Sequence, residues 1–125
     1  MDFVVNASFS QDHARISKDM MKHGFNVLTK KPAAKDAGEF QTVLDGMKET
    51  GKKYYAFQQY RFAPGFIKLQ GIIASGVLGR IVAVNMRFGG FSRRWDWQTV
   101  HANTAGALLS NGPHYVDWSL ALMGM

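Results

Sequence analysis

The chain has no cysteine, only three prolines among 125 residues, and charged side chains at just 19% of positions. Without cysteine there are no disulfides, no thiolate nucleophile and no cysteine-built zinc or iron–sulfur centre. The low charge content argues against long disordered stretches. No window approaches the apolar length of a membrane span, so no membrane partner is expected. The N-terminus lacks a basic segment followed by a long apolar run, which leaves a signal peptide without support and makes the cytoplasm the expected location. Against these absences stand 46% hydrophobic and 13% aromatic residues. A chain of this length buries roughly two-thirds of its unfolded surface, enough for a real core.

Charge is unevenly placed. Residues 1–49 carry seven basic and seven acidic side chains, whereas from Gly51 onward eight basic residues face only Asp96 and Asp117. The whole excess of +6 therefore lies in the second half. That asymmetry suits an anionic ligand, a nucleic acid or an acidic neighbour, and composition does not choose among them.

The first half reads as strand, helix, strand, helix, strand. The apolar run from Asp2 to Ala7 has no helical period and fits a buried strand. Ser10 is placed to cap a helix over Gln11 to His23, with Gly24 as its stop. Phe25 to Thr29 forms the second strand. Asp36 and Glu39 make a capping box ahead of Phe40, Val43, Leu44 and Met47, and Gly51 ends that helix. Lys53 to Phe57 is the third strand. Two crossovers of this length imply a parallel sheet. Two helices can cover only one of its faces, so the sheet reads as half of a doubly wound one.

The second half changes character. Pro64 opens a helix carrying Phe66, Ile67, Leu69, Ile72 and Ile73. Val82, Val84, Met86 and Phe88 alternate along a strand expected from Arg80 to Phe88, which points to an antiparallel sheet. A loop from Gly89 to Thr104 is rich in aromatic and basic groups. A last helix is expected from about Pro113 to Met123, with His114 in its first turn and Val116, Leu120 and Met123 on its apolar stripe. The helix N-terminus would then favour a neutral, proton-accepting His114.

Five segments, in order, resemble one family. These are DFVVNASFSQDH (Asp2–His13), Lys30-Lys31-Pro32, QQYRFAPGF (Gln58–Phe66), SGVLGRI (Ser75–Ile81) and AGALLSNGPHYVD (Ala105–Asp117). Together they resemble the Gfo/Idh/MocA oxidoreductases, the NAD(P)-dependent family of glucose–fructose oxidoreductase and inositol dehydrogenases. The implied fold is α/β: the C-terminal half of a Rossmann-type parallel sheet over residues 1–60, joined to the start of an α+β substrate domain with an antiparallel sheet over residues 61–125. Members of the family begin with a glycine-rich turn whose N–H groups hold the cofactor pyrophosphate. No such turn occurs here, so the chain is expected to be an internal piece, about a third of a usual member.

The resemblance implies hydride transfer between NAD or NADP and a secondary alcohol of a sugar, inositol or related polyol. It makes Lys31 and His114 the catalytic groups and implies a cis Lys31–Pro32 bond. Ala7, Ser8, Phe9, His13, Lys30, Pro32, Gln59 and Trp97 fall on the cofactor side, His13 with a structural part of its own. Arg94, Asn111 and Asp117 fall on the substrate side. Lys30 replaces a usual glutamate, Phe9 a usual proline, and Ser110 an acidic residue that often accompanies the histidine. That leaves Ser110 and Asn111 only hydrogen-bonding roles.

Read from the residues alone, Lys30 and Lys31 lower each other's ammonium pKa if both are partly desolvated, a useful direction for a proton shuttle. The indole faces of Trp95 and Trp97 suit the C–H surface of a sugar, and Asp117 is placed to orient the His114 ring or an arginine. His23 and His101 have no ligand spacing, so no metal is expected. Two other readings stand beside the dehydrogenase: a catalytically silent chain that binds or self-associates as a homo-oligomer, and a basic module for RNA or DNA. Nucleic acid is not the expected partner.

Overall fold

The computed structural model describes residues 3–91, 93–103 and 105–124. Asp2, at the start of the first expected strand, lies outside the described residues, as do Ser92 and Thr104 of the aromatic loop and the side chain of His101. The elements run β1 (Phe3–Asn6), α1 (His13–Lys22), β2 (Asn26–Lys30), α2 (Ala37–Thr50), β3 (Tyr54–Phe57), α3 (Pro64–Ala74) and α4 (Ala107–Met123). Short 3-10 turns span Ser10–Asp12, Gln59–Phe62, Trp97–Thr99 and His101–Asn103.

β1, β2 and β3 form a three-stranded parallel sheet in chain order. Val4, Val27 and Tyr54 stand in one row across it, and Asn6, Thr29 and Ala56 in another on the same face. α1 and α2 close that face around Ala14, Met21, Val27, Val43 and Tyr54, with Phe40 and Met47 packed alongside. The other face carries Phe3, Val5, Tyr55 and Phe57, each between 42% and 65% exposed. The one-sided cover expected from the sequence is thus what the fold shows.

Local signals set most boundaries. Asp36 Oδ1 accepts the Glu39 N–H at 2.8 Å, while Glu39 Oε2 reaches the Lys35 N–H at 2.7 Å, one residue short of the usual capping box. Gly51 ends α2 in the left-handed region, where a side chain would be strained. Ser10 does not cap α1. It sits buried in the 3-10 turn, and α1 begins three residues later at His13.

The second half gathers on α4. Phe66 of α3 is buried and stacks on Trp118 at 4.5 Å, and Phe88 stacks on Tyr115 at 4.0 Å. Residues 80–88 form no ladder among the described residues, so the expected antiparallel strand is not seen there. A strand exists only with a partner, and among the described residues none of the three strands pairs with this segment. The segment is held by side chains instead, and the Ser119 hydroxyl also donates to Met86 Sδ at 3.8 Å.

α4 corrects the sequence reading twice. It begins at Ala107 rather than Pro113, with Gly106 as N-cap and Pro113 inside it. His114 therefore lies two turns in, beyond the reach of the helix N-terminus. The expected stripe also faces outward: Val116, Leu120 and Met123 are 59%, 40% and 62% exposed. The inward face is built from His114, Tyr115 and Trp118 instead.

Candidate functional site

Parallel strands bring their C-terminal ends to one edge of a sheet, and ligands gather there. At that edge β1 runs into Ala7 and Ser8, and β2 into Lys31 and Pro32. Behind the edge lies a buried polar network. Asn6 Nδ2 donates to the His13 carbonyl and to Ser17 Oγ, both at 3.0 Å, and Ser17 bonds Thr29 Oγ1 at 2.7 Å. The Ser8 hydroxyl donates to Asn6 Oδ1 at 2.7 Å. His13, 2% exposed, sets Nδ1 at 2.6 Å from the Pro32 carbonyl and Nε2 at 3.1 Å from the Ser8 carbonyl. Carbonyl oxygens only accept and a neutral imidazole carries one N–H, so the ring sits between the two loops and donates to one of these carbonyls at a time. The Lys31–Pro32 bond is cis, as the resemblance implies.

In front of the network is a cavity of about 110 Å³. Ala7, Ser8, His13, Lys30, Lys31, Pro32 and Trp97 line it, together with Ser10, Gln98, Ala105 and Ser110. Six of the eight residues expected on the cofactor side meet here with Lys31. Phe9 contributes from behind, its ring edge-on to Trp97 at 5.1 Å. Gln59 lies in the 59–62 turn and does not line the cavity. A second cavity of about 350 Å³ shares Gln98 and Ser110 with the first and is lined by Arg94, Thr99, Gly106, Ala107 and Asn111. Arg94 and Asn111, both expected on the substrate side, thus line one cavity. Asp117 lies elsewhere, paired with Arg61 at 2.8 Å.

The Lys31 ammonium donates to the carbonyl of Ser110 on α4. Sequence reasoning had considered the Ser110 side chain, and a backbone acceptor 79 residues away leaves no sequence signal. Desolvation lowers the Lys31 pKa, and the charges of Lys30 and Arg94 lower it further. His114, 2% exposed, also has a lowered pKa, through burial first and Lys31 second, with Asp117 opposing. The neutral imidazole expected from a helix start is thus obtained from burial. Its Nδ1 has no hydrogen-bond partner among the described residues. The Tyr60 ring lies over it, centroids 4.0 Å apart. Tyr60 went unremarked in the sequence, although it sits inside the QQYRFAPGF segment.

The two neighbouring cavities offer a half-buried amine with a lowered pKa and hydrogen-bonding side chains, while the buried His114 imidazole lines neither of them and is coupled to Lys31 electrostatically. These are the parts of a proton-transfer site.

Residues 66–125 match the model of the GFO/IDH/MocA C-terminal domain. Two uncharacterized oxidoreductases of Escherichia coli, YdgJ and YhhX, are 24% and 28% identical over 127 aligned positions, covering 100% and 97% of this chain. The alignments cover 37% and 35% of those proteins, so the chain spans about a third of the length of these curated relatives. Among solved structures, an NAD-binding protein from Listeria innocua superposes with a TM-score of 0.90 at 22% identity, over 98% of this chain and 35% of that one. The WlbA dehydrogenase of Thermus thermophilus, in complex with NAD and α-ketoglutarate, gives 0.75 at 19% identity, over 98% and 40%. These likenesses agree with the α/β fold and its small parallel sheet, and residues 66–125 carry the similarity to the Gfo/Idh/MocA oxidoreductases.

Proposed function

We propose that this chain forms the proton-transfer and substrate side of an NAD(P)-dependent dehydrogenase that oxidises a secondary alcohol of a sugar, inositol or related polyol. The observation that carries the reading is Lys31, held at the sheet edge by its bond to Ser110 with its pKa lowered in a cavity wall. An amine so placed takes the hydroxyl proton as the alcohol carbon loses hydride. His114, its Nδ1 unpaired among the described residues and its pKa lowered in part by Lys31, is the second proton-transfer group and acts through its coupling to Lys31. Arg94 and Asn111 orient the remaining hydroxyls in the larger cavity.

The cavity residues fit the nicotinamide end of the cofactor. Ala7 and Ser8 are small enough to leave space at the strand ends, Trp97 supplies an apolar wall, and Lys30 adds a positive charge. Those residues would hold it, and when bound it supplies the hydride acceptor. The NAD-binding neighbours support this choice.

A division into residues 1–60 and 61–125, with an antiparallel sheet growing from residues 80–88, agrees with the side-chain anchoring of that segment on α4. The exposed sheet face around Val5 supports self-association into a homo-oligomer. Titrating the chain with NADH and NADPH, then assaying a polyol panel, tests the function. Turnover lost in Lys31→Met with the fold intact is the expected result. Undiminished turnover in that variant, or no binding of either cofactor, rejects the reading for this chain.

A further inference from the structure

Among the described residues, the two neighbouring cavities are lined by three cations and no carboxylate. Lys30 and Lys31 line the smaller and Arg94 the larger, and neither lining includes Asp or Glu. The nearby acid Asp96 takes the Arg94 Nε–H at 2.6 Å, which leaves the terminal amino groups of that guanidinium for another acceptor. Lys31 donates to a neutral carbonyl. No carboxylate pairs with Lys30 or Lys31 among the described ion pairs. The three cations lie close enough for Lys30 and Arg94 both to disfavour the charged form of Lys31. Like charges gathered in a concave site focus the field onto whatever enters it. With Lys30 on the cofactor side, a neutral polyol would still leave the Arg94 guanidinium of the larger cavity without an anionic partner beyond its Nε–H bond to Asp96.

We infer that the polyol substrate carries an anionic oxygen group, a carboxylate or a phosphate, which Arg94 and Asn111 hold in the 350 Å³ cavity while the reacting hydroxyl meets Lys31. The inference rests on the proposed role of Lys31 and names the class of substrate for that same site. The planar guanidinium fork of Arg94 matches either group through two parallel N–H bonds. Asn111, on the same wall, adds an amide donor, and the start of α4 at Gly106 and Ala107 closes the cavity beside it.

The test is ligand-observed NMR on the full chain with four probes: gluconate, glucose 6-phosphate, glucose and myo-inositol. Each is titrated at low salt and in 0.5 M sodium chloride, a strength at which exposed charges are heavily screened (Debye length about 4 Å). One anionic probe should bind at least about tenfold more tightly than either neutral one. Gluconate ahead of glucose 6-phosphate assigns a carboxylate, and the reverse order a phosphate. Arg94→Gln should abolish the preference and Arg94→Lys should keep part of it. Arg94 is exposed, and circular dichroism verifies that both variants fold. Equal binding of neutral and anionic probes, or a preference that survives Arg94→Gln, overturns the inference and leaves the dehydrogenase reading standing. Failure of all four probes to bind overturns both.

Discussion

Tyr60 lies flat on His114, with ring centroids 4.0 Å apart and planes within 15°. The 59–62 turn that carries Tyr60 is pinned to α4 on both sides of the stack. Trp118 Nε1 donates to the Tyr60 carbonyl at 3.0 Å, and Arg61 Nε donates to Asp117 Oδ2 at 2.8 Å. The stack helps to exclude water from the imidazole, and burial is the leading cause of its lowered pKa. Tyr60→Ala should therefore move the His114 pKa up toward the ordinary histidine value, and Tyr60→Phe should leave it in place. An NMR titration of the assigned His114 ring protons measures both. An unmoved titration in Tyr60→Ala would show that burial comes from elsewhere.

The proton-transfer role proposed for Lys31 comes with a local cost. Its ammonium is partly desolvated beside two like charges. Lys31→Met keeps the stem and removes the charge. Ser110 keeps a role for its carbonyl, because helix geometry directs it toward the N–H of His114. Turnover should fall by about 100-fold or more, the usual scale for losing an acid/base group. Stability should match the wild type or exceed it by up to about 1 kcal/mol, a common outcome where function keeps a destabilising group. Thermal denaturation decides the second part, and a clear drop in melting temperature would contradict the electrostatic account.

The same electrostatics sets a pH dependence. The folded chain holds the His114 pKa below its unfolded value of about 6.5. Between those two values the unfolded chain binds more protons, so the contribution to stability is full above about pH 6.5 and is lost as pH falls through the window. His114→Gln removes the group. The wild type should lose stability more steeply than this variant between about pH 6.5 and 5. Parallel denaturation curves in the two proteins would rule out the assignment.

How much of this was legible depended on how far apart the interacting groups lie in the chain. The three strands, the Asp36 cap, the Gly51 stop and the Lys30-Lys31-Pro32 loop all rest on local chemistry, and the structure keeps them within a few residues. α4 was misread because Asn111-Gly112-Pro113 carries the local marks of a helix boundary. Proline inside a helix forfeits one hydrogen bond and typically costs about 3 kcal/mol. Here the Ser110 N–H bond to Gly106 at 2.8 Å closes the first turn, and Lys31 anchors the Ser110 carbonyl. The Asp117 pairing with Arg61, 56 residues away, has no local signature either. Nor does the alternation of residues 80–88 reveal whether a partner strand lies beside them.

The polar network under the sheet edge should be among the most sensitive parts of the fold. Asn6 satisfies the His13 carbonyl, Ser17 and Ser8 at once, and it is 4% exposed. Asn6→Leu removes the amide from the buried end of this network. Ser17 keeps its bond to Thr29 and Ser8 is exposed to solvent, so the cost is that of the buried groups left short of a partner, about 1–3 kcal/mol for each unsatisfied group. A loss of about 2–4 kcal/mol is expected, with Ser17→Ala costing less. Chemical denaturation quantifies both, and a near-neutral Asn6→Leu would mean that water replaces the side chain.

The uncovered sheet face yields the last prediction. Val5 is 65% exposed and stands in register with Leu28 and, through it, Tyr55. Phe3 lies 6.0 Å from Tyr55 across the same surface. Parallel sheets are ordinarily covered on both faces, and β1 also presents an unpaired edge. Contact between copies through this face would bury apolar surface at roughly 25 cal/mol per Å² before the cost of association. Val5→Lys places a solvated charge in the middle of the patch without touching α1 or α2. Sedimentation velocity over a concentration series should show association in the wild type and a shift toward monomer in the variant. Identical profiles for the two proteins would exclude this face as the contact.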